Sequence, residues 1–128
     1  MTKAGSICGR PVNLLDIYPT LASLTGCEPP ANQLEGNDLS ALMQDPEAAW
    51  DEATVTTFGY KNYGVRSGRY RYIVYEDGSE ELYDHANDMW EWKNLAGKPQ
   101  FAAVKQNMRK WIPVHHEPPG ATYKPPRR

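Results

Sequence analysis

The sequence predicts an α+β fold: a small antiparallel sheet of about four strands packed with a C-terminal helix, preceded by an N-terminal helix and a long connection. Three observations predict it. From Thr54 to Tyr83, β-branched and aromatic residues alternate with polar ones and are broken by Gly59, Ser67-Gly68 and Asp77-Gly78. Phe101, Val104, Met108 and Trp111 recur at helical spacing near the end. Leu14, Ile17, Tyr18, Leu21 and Leu24 do the same near the start. A helix stripe beside a sheet with one apolar face is the usual recipe for two packed layers.

In chain order, residues 1–10 are an irregular lead-in. A helix is expected over 16–25. With Asp16 as N-cap, Pro19 falls in the first turn, where its missing N–H costs nothing. Gly26 stops the helix by taking a left-handed cap. Residues 28–51 form the connection, with Pro29-Pro30 and Glu35–Asp38 as turn chemistry and one or two helical turns over Asp38–Met43. Strands are expected at Thr54–Phe58, Tyr63–Arg66, Tyr70–Tyr75 and Glu80–Tyr83. Tyr70, Tyr72 and Val74 then line one face, and Arg71, Ile73 and Tyr75 the other. Asp88 with Glu91 caps a short helical turn, and a helix over 99–111 ends at Pro113. Tyr70, Tyr72, Trp92 and Trp111 fill the space between sheet and helix. The domain reading is residues 1–50 as lead-in, helix and connection, 51–113 as the sheet-and-helix subdomain, and 114–128 as a proline-rich tail.

Composition narrows the function. A formal net charge of −2 gives no pull toward nucleic acid or an anionic membrane. No run of apolar residues is long enough to span a bilayer, and the first residues hold no apolar signal core. On these grounds the chain as written is expected in the cytoplasm, unless it is a piece of a longer exported protein. Two cysteines, Cys8 and Cys27, are too few for a disulfide framework. A bridge between them is compatible with an oxidising compartment; free thiols are the simpler expectation. Without a C-x-x-C pair a structural zinc site is not expected. His115-His116 point in different directions and have no third ligand nearby, and His85 is expected in a solvent-exposed turn. Asp84, Asn87 and Asp88 are oxygen-rich, but they read as a turn bonding its own backbone rather than a calcium site.

Specific motifs add to this. Arg10-Pro-Val-Asn-Leu-Leu-Asp-Ile-Tyr-Pro-Thr-Leu21, Tyr72-Ile73, Glu80-Glu-Leu-Tyr-Asp84, Glu91-Trp92, Asn94-Leu95 and Trp111-Ile-Pro113 stand in an order and spacing that resemble the C-terminal region of the sulfatases. Each is weak alone; the joint order makes the signal. Within that family the chain is most similar to the iduronate-2-sulfatase-like branch. It departs where members often have Asp-Pro and this chain has Asp88-Met89, a change in turn rigidity.

The resemblance implies a fragment of a sulfuric ester hydrolase acting on sulfated sugars. The full-length family uses calcium and a formylglycine made from Cys or Ser in a C/S-x-P-x-R motif, and its members are usually exported, periplasmic or lysosomal. Cys27-Glu28-Pro29-Pro30-Ala31 matches C-x-P but has Ala31 where the arginine belongs, so Cys27 is read as a decoy. The catalytic N-terminal domain is not in this sequence. No catalytic, metal or cofactor residues are therefore expected in it, and the chain alone is expected to be inactive. In the resembled family the loop before the second strand faces the substrate cleft. Tyr60, Lys61, Asn62 and Arg66 are accordingly the candidate substrate-binding residues, with Lys61 and Arg66 meeting a carboxylate or sulfate; the alternative is a merely polar hairpin edge. The expected partner is a sulfatase catalytic domain, or a second copy, met through the N-terminal helix. That helix is apolar nearly all round, and one small sheet cannot cover it. A stand-alone or complementing module that binds sulfated glycan or a sulfatase N-terminal chain is the alternative.

Overall fold

In a computed structural model, residues 4–28 and 35–115 are described. The fold is α+β, and it divides into two compact units, Met1–Thr54 and Val55–Arg128.

The first unit is built on helix α1, Ile17–Thr25, entered through a 3-10 turn at Leu14–Asp16. Pro19 lies in the first turn of α1. Gly26 takes φ 70°, and the Cys27 N–H returns to the Ala22 carbonyl at 3.0 Å, closing a left-handed C-cap. Asp16 does more than start the helix. Its buried carboxylate accepts the Asn13 N–H at 2.6 Å and the Asn37 N–H at 2.8 Å. One turn later the Thr20 hydroxyl donates to the Asp16 carbonyl at 2.5 Å and accepts the Leu39 N–H at 2.9 Å. These two side chains fasten the connection onto α1. Helix α2, Ser40–Gln44, follows and buries Leu42. The Trp50 indole N–H donates to the Pro11 carbonyl at 3.1 Å, tying the end of the connection to the lead-in.

Gly36 is required by space. A Cβ there would run into the carbonyl of Leu15. Among the described residues the buried apolar ones of this unit are Ala22, Leu42 and Ala53, whereas Leu14 is 87% exposed and Leu15, Ile17, Tyr18, Leu21 and Leu24 are all half or more exposed. The uncovered apolar helix expected from the sequence is thus present.

The second unit is a four-stranded sheet in the order β1-β2-β3-β4, with β1 Thr54–Thr57, β2 Tyr63–Arg66, β3 Tyr70–Val74 and β4 Glu80–Asp84. β2 pairs antiparallel with β3, Val65 opposite Tyr72, and β3 with β4, Tyr72 opposite Leu82. Those three residues form one row and are fully buried. The turn from β3 to β4 sets Gly78 at φ 85°, with its N–H on the Tyr75 carbonyl at 3.0 Å and Asp77 accepting the Ser79 N–H at 2.8 Å. The outer edge of β4 is covered by the Asn94-Leu95 segment. Leu95 N–H donates to the Leu82 carbonyl at 2.8 Å, while the Asn94 side chain accepts from Leu82 N–H and donates to the Glu80 carbonyl.

A 3-10 turn at Pro99–Phe101 leads into helix α3, Ala102–Arg109, which buries Met108. What joins α3 to the sheet is mainly polar. Glu80 accepts from Lys105 Nζ at 2.7 Å, from Tyr72 Oη at 2.5 Å and from Arg109, whose Nε also donates to Tyr72 Oη at 2.6 Å. Burial pushes the Glu80 carboxyl up, but the bonds from Lys105, Tyr72 and Arg109 prevail and bring it down to about 2.

The structure corrects three expectations. Trp92 fills no core; it is 82% exposed, and Trp111 is also outside it. Asp88 caps no helix. Its carboxylate accepts the Lys93 N–H at 2.8 Å, and Glu91 adopts φ 58°, incompatible with a helical turn. His85 is half-buried rather than exposed, because Glu91 turns back to meet its Nε2 at 2.6 Å.

Two outcomes follow from this packing. Glu80 titrates at about 2 when folded and near 4.5 when unfolded. Its contribution is complete above pH 4.5 and is lost as pH falls from there toward 2. We expect Glu80→Gln to cost about 2 kcal/mol in urea unfolding at pH 7 and to flatten part of the acid slope; a slope identical to the parent's rules the hub out. Gly36→Val is expected to cost about 1–3 kcal/mol through overpacking, read as lost protection or helicity in residues 4–54.

Candidate substrate-facing site

The sheet has two unlike faces. Tyr63, Val65, Tyr72 and Leu82 point to the α3 side and are buried. The register puts Gly64 beside Ile73 and Glu81 on the other face, and Arg66 beside Arg71 and Tyr83. Among the described residues of this unit no helix covers that second face. Over Gly64 lies an open concavity of about 400 Å³, bounded by Phe58, Asn62, Arg71, Ile73 and Tyr75.

The loop between β1 and β2 forms its rim. Phe58 N–H donates to the Asn62 carbonyl at 3.0 Å, closing residues 58–62 into a tight turn. Gly59 and Lys61 take positive φ of 67° and 55°. The Lys61 ammonium stands 5.0 Å from the centre of the Tyr60 ring.

The four residues chosen from the sequence separate here into two kinds. Tyr60 and Lys61 sit together at the loop tip, Lys61 exposed. Asn62 is a rivet. Its Nδ2 donates to the Tyr60 carbonyl at 3.0 Å, and its Oδ1 accepts the Glu76 N–H at 3.0 Å, pinning this loop to the β3–β4 turn. Arg66 lies on the open face, but its guanidinium donates to the carbonyls of Ser67 at 2.7 Å and Tyr70 at 3.4 Å, clamping the β2–β3 turn. Burial lowers its pKa; Glu91 opposes that and Arg71 adds to it.

Sequence reasoning passed over Arg71 and Gly64. Arg71 Nη1 donates to both carboxylate oxygens of Glu91 at 3.2 Å, and Glu91 in turn holds His85. The signal was available: in an alternating strand Arg71 shares a face with Ile73 and Tyr75, and a glycine within β2 marks a place where something approaches closely. On the same face Glu81 accepts the Tyr75 and Tyr83 hydroxyls at 3.1 and 2.8 Å. Burial and this carboxylate raise the Tyr83 phenol to about 12.

The residues present do not fit the calcium and formylglycine of sulfate-ester chemistry. Both oxygens of buried Asp84 are occupied, by Arg69 at 2.8 and 2.6 Å, by Asn87 at 2.8 Å and by the Ala86 N–H. Arg69, first, and then Asn87 and the Ala86 N–H hold this carboxyl well below the usual range against the effect of burial. Asp84 is therefore a turn anchor with no oxygen open to a cation. Cys27 is an exposed thiol directly beyond the cap of α1, and Pro29 to Ala31 of its motif lie outside the described residues. His115 is exposed and His116 lies outside them as well.

Comparison with known proteins agrees with this layout. The chain is 41% identical to a sulfatase of Formosa agariphila over 109 residues, 85% of this chain and 21% of that protein. It is 32% identical to arylsulfatase K of Danio rerio, covering 86% of this chain and 23% of the relative. It is also 32% identical to a Δ4,5-hexuronate-2-O-sulfatase of Bacteroides thetaiotaomicron, covering 70% and 20%. A solved structure described as a 2-O GAG sulfatase superposes with a TM-score of 0.59 at 30% identity, over 74% of this chain and 22% of that one. The chain spans about a fifth of the length of the relatives it matches. Fold and comparison define the class: a sulfatase C-terminal subdomain of α+β type. The chain belongs to the family described as N-sulphoglucosamine sulphohydrolase, C-terminal, whose match covers residues 2–117.

Two substitutions separate rivet from tip. Asn62→Ala is expected to cost about 1–2 kcal/mol by unpinning two loops. Lys61→Gly relieves a left-handed backbone and is expected to hold or raise stability by up to about 1 kcal/mol. Denaturant midpoints check both; a destabilised Lys61→Gly contradicts the loop geometry.

Proposed function

We propose that this chain is the C-terminal subdomain of a sulfatase acting on sulfated sugars, and that by itself it hydrolyses nothing. The observation that supports this is the family match over residues 2–117 together with relatives, all sulfatases by description, of which the match covers only about a fifth. The subdomain supplies a wall of the substrate cleft through the 58–62 loop. Tyr60 offers an aromatic surface there and Lys61 a cation for a carboxylate or sulfate. Asn62 and Arg66 serve by holding the loop and the adjoining turn in shape. Calcium and the formylglycine nucleophile come from the catalytic domain. The iduronate-2-sulfatase-like branch is the finer assignment; a 2-O GAG sulfatase and a hexuronate-2-O-sulfatase among its similar proteins favour it.

The partner in this reading is a sulfatase catalytic domain, in the same polypeptide or as a separate chain. It would meet the exposed stripe of Leu14, Ile17, Leu21 and Leu24. Either arrangement makes the chain an accessory module rather than a free-standing enzyme.

The 128-residue chain should release no product from a chromogenic aryl sulfate with calcium present; turnover abolished by Cys27→Ala defeats the proposal. Leu21→Glu with Leu24→Glu should leave the unfolding free energy within about 0.5 kcal/mol, as expected at exposed sites, while reducing self-association in sedimentation. A large stability loss would mean the stripe is covered from within.

A further inference from the structure

We infer that the concavity over Gly64 binds one acidic pyranose ring, with Arg71 as the polar anchor and Phe58 and Tyr75 as stacking surfaces. The choice of a sugar rests on the saccharide reading above; the site itself rests on geometry. Its volume of about 400 Å³ suits one ring with its substituents. Phe58 is 85% exposed on the loop closed by Asn62, an apolar ring held out by a tight turn rather than folded inward. Tyr75, the residue directly after β3, lines the site, its hydroxyl fixed by Glu81. Aromatic faces placed this way pack against the C–H faces of a sugar.

Arg71 gives the site its selectivity. All its hydrogen bonds among the described residues run through Nη1 to Glu91. Nε and Nη2 remain as donors for a ligand carboxylate or sulfate oxygen. Glu91 is shared with His85, and Arg66 stands directly across from Arg71, so the cationic side of this cluster outnumbers its carboxylate. Glu81, the other carboxylate of the face, is engaged by two phenols. Glycine at position 64 completes the site. A Cβ added there meets no atom within 4 Å, so a side chain at position 64 would project into the open hollow. A bulky residue would occupy the hollow without disturbing the strand.

That last point makes a decisive variant. Gly64→Val is compatible with β2 and improves strand propensity, so its melting temperature should equal or exceed the parent's. Amide chemical-shift titration of the 128-residue chain would use three probes. They are an unsaturated hexuronate–glucosamine disaccharide bearing 2-O-sulfate, the same disaccharide without sulfate, and neutral cellobiose. We expect saturable shifts at Gly64, Arg71 and Ile73 with the sulfated acidic probe, and at least tenfold weaker binding of cellobiose. Gly64→Val and Arg71→Met should each weaken the acidic probe at least tenfold. Affinity kept on desulfation assigns the contact to the carboxylate; affinity lost assigns it to the sulfate. Equal binding of cellobiose, undiminished binding by Gly64→Val, or no shift with any probe overturns the inference. None of these outcomes requires turnover. Sulfate release by the full-length protein tests the sulfatase reading separately, so the two can fail independently.

Discussion

The carboxylate of Glu80 is the constraint on which the second unit depends. Helix α3 is short, and only Met108 among its residues is buried. Apolar contact of that extent is a weak attachment. Glu80 compensates by accepting from a lysine, an arginine and a tyrosine at once, and the tyrosine is the buried centre of the sheet. Charge-assisted bonds of this kind are directional as well as strong. They fix which face of the sheet α3 covers, and Gly64 and Arg71 lie on the other face.

The first unit is organised differently. Its connection is held by Asp16 and Thr20, two buried polar groups whose bonds run to Asn13, Asn37 and Leu39. Among the described residues its buried apolar side chains are Ala22, Leu42 and Ala53, and the large ones of α1 face outward. A helix that keeps its polar pins inside and its leucines outside presents the kind of apolar patch that marks an interaction face.

Much of the fold was legible in the sequence, because local chemistry decides it. Gly26, Asp77-Gly78 and the alternation of Tyr70 to Tyr75 each have one sensible structural meaning, and the structure realises it. The errors came from side chains whose partners are distant or uncertain in sequence. Glu91 pairs with Arg71, 20 residues away, and that pairing pulls the 88–92 segment out of the helical turn its capping pattern suggests. Hydrophobicity alone assigned Trp92 to a core that Tyr72 and Leu82 already fill. The candidate site was half legible. The loop was found, yet Asn62 and Arg66 are consumed by backbone carbonyls and amides, which spacing cannot reveal. Arg71 and Gly64 were passed over because a hollow is a property of facing strands, not of one segment.

The sheet carries a buried core of its own, whereas α1 leaves its large apolar side chains exposed. Native-state amide hydrogen exchange on the isolated chain tests this contrast most directly. Protection near the global unfolding free energy is expected for Val65, Tyr72 and Leu82, with opening at far lower cost throughout Ile17–Thr25. Protection in α1 equal to that of β3 would contradict it.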